Sequence, residues 1–247
     1  MLSIKEIQNK KKNGEKVSVI TAYDFAFAKM AEAAHIDQIL VGDSLANVML
    51  GYSSTREIGM NEMIIFTRGV SKGAPNTHII SDMPYLSDSN PTLALENAKL
   101  LLDAGAHSVK LEGAKEDVIE ILLKNNIPVM GHLGLLPQTA KSFKQFGKTS
   151  EEADQLLKDA MTIDKLGVYS MVLEHVPETL GTLISHRVSA VTIGIGAGNS
   201  TDGQVLVLHD VLGLNGGKIP PFAKKFANIF EIGVQGISDY IQSIAKK

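Results

Sequence analysis

Charged and polar side chains close almost every short apolar run in this sequence. Tyr23-Asp24, Asp43-Ser44, Asp82, Glu174-His175 and His209-Asp210 each end a Val-, Ile- or Leu-rich stretch. His132 ends another, and Lys110 and Glu112 close a further one. If these runs are parallel strands of one sheet, their terminal groups gather on one rim. Carboxylates crowded in that way repel one another unless they share a cation. Asp43, Asp82 and Glu112 close successive runs, and a set of oxygen donors suits Mg2+ or another hard divalent ion. Such an ion has room for the carboxylate and keto oxygens of a 2-oxo acid. Lys110 stands two residues before Glu112, so both side chains leave a strand on the same side. Its ammonium group would then meet a substrate carboxylate or oxyanion, or else form a salt bridge inside the fold. Glu174 is set apart from the three candidate metal ligands. A carboxylate in that position can act as a general base on the carbon alpha to a keto group. It can equally serve as a support for His132 or for a lysine on the rim. His132, in Gly131-His132-Leu133-Gly134, reads either as a polar site residue or as a hydrogen-bonded core histidine.

The elements that would position these groups are readable from the pattern. Apolar runs expected as strands cover Val17 to Tyr23, Gln38 to Gly42, His78 to Ser81, Ser108 to Glu112, Pro128 to His132, Ser170 to Glu174, Ala190 to Ile195 and Val205 to Leu208. Helical spacing fills Phe25 to Ala34, Met60 to Ser71, Pro91 to Ala104, Lys115 to Lys124, Ser150 to Leu166 and Pro177 to His186. Asn90 before Pro91 reads as an N-cap followed by a proline at the first helical position. No full helix is expected between Gly196 and Gln204. Strands alternating with helices over 247 residues predict a single (β/α)8 barrel, a fold of roughly 250 residues. The expected domain is residues 1–247, with a helical appendage over about 221–247. Gly194-Ile195-Gly196-Ala197-Gly198 has the wrong spacing for a dinucleotide fingerprint and is expected to be a tight turn.

Composition narrows the function classes. There is no Cys, which excludes a disulfide framework, a Cys nucleophile and a thiolate metal site. The net charge of −3 gives no reason to expect nucleic acid or an anionic membrane as partner. No apolar stretch approaches the roughly 18 residues of a membrane span, and no signal-peptide core follows Met1, so a cytoplasmic enzyme is expected. The Lys10-Lys11-Lys12 run is expected to decorate a solvated helix end.

Several blocks together resemble the ketopantoate hydroxymethyltransferase family. They are Thr21-Ala22-Tyr23-Asp24, Val41-Gly42-Asp43-Ser44-Leu45, Ser81-Asp82-Met83-Pro84, Val109-Lys110-Leu111-Glu112-Gly113, Gly131-His132-Leu133-Gly134-Leu135 and Leu173-Glu174. The run from Ile193 to His209-Asp210 adds to the resemblance. The resemblance implies a TIM barrel of the phosphoenolpyruvate/pyruvate type. It implies transfer of a hydroxymethyl group from 5,10-methylenetetrahydrofolate to 3-methyl-2-oxobutanoate, giving 2-dehydropantoate in pantothenate biosynthesis. The positions matching the family's metal ligands are Asp43, Asp82 and Glu112. Those matching its oxo-acid contacts are Asp43, Ser44, Asp82 and Lys110, and Glu174 matches its base. Family members form homodecamers of two pentameric rings. An alternative of the same barrel type is a metal-dependent 2-oxo-acid carbon–carbon lyase or mutase. The chain departs from the family pattern at Ala46, at Ser53, at Phe66 and most of all over Ser142 to Lys148.

Overall fold

A computed structural model describes residues 1–140, 142–217 and 219–245. Eight parallel strands close into a barrel in sequence order. They are β1 (Val17–Thr21), β2 (Gln38–Val41), β3 (His78–Asp82), β4 (Ser108–Lys110), β5 (Val129–Gly134), β6 (Ser170–Glu174), β7 (Val191–Ile195) and β8 (Gly203–Leu206). The helices are α1 (Ile4–Lys12), α2 (Phe25–Ala33), α3 (Leu45–Val48), α4 (Met60–Gly73), α5 (Pro91–Asp103), α6 (Glu116–Lys124), α7 (Ser150–Leu166), α8 (Glu178–Arg187), α9 (Leu208–Leu212) and α10 (Ile229–Ala245). The expected (β/α)8 barrel is therefore the observed fold. The chain divides into two compact units, Met1–Val205 and Leu206–Lys247. Lys246 and Lys247, the end of the expected appendage, lie outside the described residues.

Two-residue alternation explains which side chains enter the barrel. Along β3 to β6, Ile79, Val109, Val129 and Met171 join the core shared with the helices. Ile80, Met130 and Val172 join a separate interior cluster with Val19, Leu40, Val191 and Ile193. The interior parity thus carries Ile80 to Asp82, Ser108 to Lys110, Met130 to His132 and Val172 to Glu174. The register pairs Asp82 with Lys110 and Gly134 with Glu174, which puts the polar groups at the carboxyl ends of their strands.

The local rules hold where the helices begin. Asn90 accepts from the Leu93 N–H and Pro91 occupies the first position of α5. Helix α7 starts with Thr149, whose hydroxyl accepts from the Glu152 N–H, and ends on Gly167. As expected, no helix separates β7 from β8, and the glycine-rich segment between them is a turn in which Asn199 donates to Glu178.

Three expectations are corrected. The eighth strand is Gly203–Leu206 rather than Val205 to Leu208, and His209 and Asp210 lie in α9 instead of closing a strand. A Cβ at Gly203 would come within 2.2 Å of the Val17 carbonyl oxygen, so barrel closure needs a bare backbone that an apolar-run search passes over. Strand β4 stops at Lys110, yet Leu111 and Gly113 still donate to the Met130 and His132 carbonyls, so Glu112 stays beside β5. The lysine run does end a helix, but of its three residues only Lys12 is exposed. Lys10 pairs with Asp37 at 2.6 Å and Lys11 with Asp202 at 2.9 Å, while Lys11 also donates to the Ser185 and Ala190 carbonyls. These bonds hold α1, capped by Ser3 and Glu6, so that Ile7 is fully buried in the interior cluster. Among the described residues no helix is long and apolar enough to cross a membrane.

His78 opens β3 in a buried polar group, 3.0 Å from the Ser108 hydroxyl, which in turn meets Tyr169. Burial, reinforced by His107, lowers the His78 pKa to about 4. The native ring stays neutral where the unfolded chain, with an ordinary value near 6.5, takes up a proton. The unfolded state therefore binds more protons between these values, and stability falls as pH drops from 6.5 toward 4. At the lower end the loss from this ring is about 3 kcal/mol. Urea unfolding of His78→Gln at pH 7 and pH 4 should show that much less acid destabilisation than the native chain.

Candidate active site

The carboxyl ends of β2 to β6 bring together most of the groups singled out in the sequence. Lys110 is buried, and its Nζ lies 2.6 Å from Asp82 Oδ1 and 3.5 Å from His132 Nδ1. Asp82 Oδ2 accepts from the backbone N–H of Asp43 at 2.9 Å. Glu112 Oε1 is 3.7 Å from His132 Nδ1, and His132 Nε2 is 3.2 Å from Glu174 Oε2. Glu174, with 13% of its side chain exposed, is more open than Asp82 at 3% and Glu112 at 4%. Ser44 begins α3 and shares a 2.8 Å hydrogen bond with the Tyr23 hydroxyl. His132 thus joins Lys110 and Glu112 to Glu174 and is part of the site.

Electrostatics follows from burial. Three carboxylates, Asp82, Asp43 and Glu112, act on the ammonium of Lys110, and a fourth, Glu174, lies across His132 from it and adds its charge to Asp43. Burial, followed by the charge of Asp82, pushes Asp43 up to about 7. Burial pushes Glu112 up to about 8; Lys110 opposes this, and Asp43 and Asp82 add to it. Burial alone would lower Lys110, but Asp82, Asp43 and Glu112 outweigh it and the group is raised, so it remains an ammonium. Burial and the neighbouring Lys110 lower His132, so its ring is neutral. An ammonium only donates, which makes Nδ1 the acceptor and leaves the ring proton on Nε2, facing Glu174. Burial raises Tyr23, which stays a neutral phenol against Ser44.

These groups do not form a closed metal cage by themselves. Among the described residues no three His, Asp or Glu side chains are grouped as a ready-made metal site. Lys110 supplies the counter-charge in their midst, as the salt-bridge reading of this lysine requires. Asp24 takes another role: its carboxylate accepts from the Phe27 N–H and caps α2.

One site residue, Gln138, escaped the sequence reading, and another was read only in part. Tyr23 was visible only as the polar end of a strand. Gln138 lies in the segment after β5, uncharged and four residues past Gly134, and carries no motif. Yet its amide donates to Asp43 Oδ2 at 2.8 Å and to the Met83 carbonyl at 3.0 Å. The altered segment Ser142 to Lys148 lies further along, with Phe143 exposed and Phe146 against the core.

The sequence model of the ketopantoate hydroxymethyltransferase family matches residues 1–247. The chain belongs to that family. The 3-methyl-2-oxobutanoate hydroxymethyltransferase of Geobacillus kaustophilus is 44% identical over 241 residues, covering 95% of this chain and 86% of that protein. The enzyme of the same name from Thermotoga maritima is 43% identical over 243 residues, covering 96% and 90%. As a ketopantoate hydroxymethyltransferase family member the chain is an enzyme, a hydroxymethyltransferase. Solved structures extend the likeness in fold alone. Phosphonopyruvate hydrolase in complex with oxalate and Mg++ has a TM-score of 0.66 at 11% identity, covering 100% of both chains. The 2,3-dimethylmalate lyase, a PEP mutase/isocitrate lyase superfamily member, has a TM-score of 0.62 at 13% identity, covering 100% and 99%.

Within this family member one glycine decides whether Glu174 can sit where it does. Gly134 has φ +96°, and a Cβ there would lie 2.2 Å from the Glu174 carbonyl oxygen. The chain then turns left-handed at His175, with φ 50°. Gly134→Ala should cost at least about 2 kcal/mol in urea unfolding, from strained backbone plus overlap. Gly14→Ala, at φ +71° with nothing within 4 Å, is the control and should cost only the conformational part, about 1 kcal/mol.

Proposed function

We propose that this chain transfers a hydroxymethyl group from 5,10-methylenetetrahydrofolate to 3-methyl-2-oxobutanoate, giving 2-dehydropantoate in pantothenate biosynthesis. We further infer that it works as a cytoplasmic homo-oligomer with Mg2+ or another divalent cation. The observation that carries the chemical reading is Glu174. It is the most open of the compared site carboxylates, and it faces a neutral His132 whose other nitrogen meets the buried ammonium of Lys110.

The donor set fits a hard cation. Its donors are oxygens, and the carboxylates outnumber the one ammonium by 4 − 1 = 3. Two of them, Asp43 and Glu112, are pushed up by burial and by neighbouring carboxylates, Asp82 and Glu174 for Asp43 and Asp43 and Asp82 for Glu112, a condition that a divalent charge relieves. Asp43, Asp82 and Glu112 would hold it. When bound, such an ion supplies Lewis-acid charge to the carboxylate and keto oxygens of the 2-oxo acid. The protein's own groups do the rest. Lys110 gives the substrate carboxylate a positive partner, and Ser44, held by Tyr23, offers a hydroxyl beside it. Glu174 takes the C3 proton of 3-methyl-2-oxobutanoate. The N–H of His132 keeps the carboxylate turned toward that carbon. Water cleaves the two C–N bonds of the folate methylene carbon, its protons going to the two nitrogens of the released tetrahydrofolate and its oxygen staying on the carbon; the carbanion equivalent then bonds to that carbon, and the oxygen takes up the proton held on Glu174 to become the hydroxyl.

Proton exchange tests this directly. With Mg2+ and no folate, the protein should exchange the C3 proton of 3-methyl-2-oxobutanoate for deuterium, read by NMR. Product 2-dehydropantoate should form only when the folate is added. Exchange without product under those conditions would favour the lyase or mutase reading instead. Glu174→Gln should slow exchange by about 100-fold or more while still binding Mg2+.

Self-assembly has its own support in α10. Phe230, Val234, Ile237, Ile241 and Ile244 recur at alternating spacings of four and three and are all exposed. That spacing makes one apolar seam of the kind that pairs helices, and we take the occupant to be a second copy of the chain. Light scattering should give a multiple of the 26.5 kDa chain for the native protein. Ile237→Glu combined with Ile241→Glu should lower that mass.

A further inference from the structure

Gln138 meets the ends of three strands through three donors, two on its amide and one on its backbone. It is 4% exposed although it lies in a connecting segment. Both hydrogens of its amide are used, on Asp43 Oδ2 at 2.8 Å and on the Met83 carbonyl at 3.0 Å. Its backbone N–H donates to Glu112 Oε2 at 3.1 Å. The amide orientation follows from its partners, since both are acceptors and an exchanged oxygen would be repelled by each.

We propose that Gln138 is a positioning residue that decides which oxygen of Asp43 and which oxygen of Glu112 faces the site. The inference rests on the divalent-cation reading above. An oxygen that accepts a protein N–H is committed, and its partner oxygen is the one left for a cation. Gln138 commits Oδ2 of Asp43 and Oε2 of Glu112, leaving Oδ1 and Oε1. At Asp82 both oxygens already meet a protein donor, Oδ2 the Asp43 N–H and Oδ1 the Lys110 ammonium at 2.6 Å, so a cation there would share Oδ1 with the lysine. Asp43 and Glu112 therefore each offer one free oxygen rather than a bidentate pair. Single oxygens from these carboxylates would leave places in an octahedral shell for the two oxygens of a 2-oxo acid and for water. Mg2+ demands that geometry and tolerates little deviation from it. A carboxylate freed from its N–H partner can rotate or chelate, which costs affinity for such an ion. Groups that orient metal ligands in this way typically contribute 10- to 100-fold in affinity. Gln138 also ties the segment after β5 to the ends of β2, β3 and β4 by one residue.

Calorimetric titration of Mg2+ into protein saturated with 3-methyl-2-oxobutanoate tests the proposal, alongside melting curves without Mg2+. Gln138→Met keeps the length and the backbone N–H but removes the amide, and should weaken Mg2+ binding by about 10-fold or more. Gln138→Asn withdraws the amide from Asp43 by one methylene, should fall in the same direction, and carries the comparison if the methionine variant does not fold. A variant that melts earlier yet binds Mg2+ as tightly as the native chain overturns the positioning role and leaves a structural one. Native protein that takes up no Mg2+ under these conditions overturns the cation reading itself.

Discussion

One ammonium group, that of Lys110, stands among three buried carboxylates at the mouth of a barrel, with a fourth, Glu174, beyond His132. The rest of the structure is arranged around that imbalance. Lys110 is raised by its neighbours and stays charged, while Asp43 and Glu112 are pushed toward neutrality by burial. Burying ionised groups is costly unless they are paired, so the site depends on hydrogen bonds that hold each acid in one orientation. The Asp43 N–H and both donors of Gln138 supply those bonds.

The scaffold makes such crowding possible because parallel strands deliver one side chain each to the same rim. Alternation along β3 to β6 sends Asp82, Lys110, His132 and Glu174 inward while their neighbours join the helix-facing core. The far end of the barrel is sealed by a different means. Helix α1 buries Ile7 and is pinned by Lys10 and Lys11 to Asp37 and Asp202. Stability at that end includes the neutral His78, whereas the site end holds its charge for chemistry.

His132 is the hinge of the electrostatic arrangement. With Lys110 at Nδ1 its proton belongs on Nε2, so a neutral ring carries a donor to Glu174. The same imidazole therefore separates the fixed cation from the open carboxylate. Burial first, and the cation of Lys110 second, keep the ring neutral, so the two groups do not coexist as cations.

Much of this was legible in the order of residues. Apolar runs ended by ionisable groups predicted the barrel and six of the site residues, because strand period and strand-end position are local properties. Family blocks such as Val109-Lys110-Leu111-Glu112-Gly113 added the expected reaction. What stayed hidden had no local signal. Strand β8 begins with Gly203 and Gln204, whose place is decided by the close approach of Val17 rather than by hydropathy. Two members of a lysine run became tethers because Asp37 and Asp202 lie near them only in the folded chain. Gln138 is an uncharged residue in a connecting segment, and its reach to Asp43 and Glu112 exists only in three dimensions. The sequence by itself determined the fold class and the inventory of acids and bases, since periodicity and residue type are written along the chain. Only the tertiary structure decided which carboxylate oxygens are held and where the histidine proton sits. Those follow from distances between residues far apart in sequence.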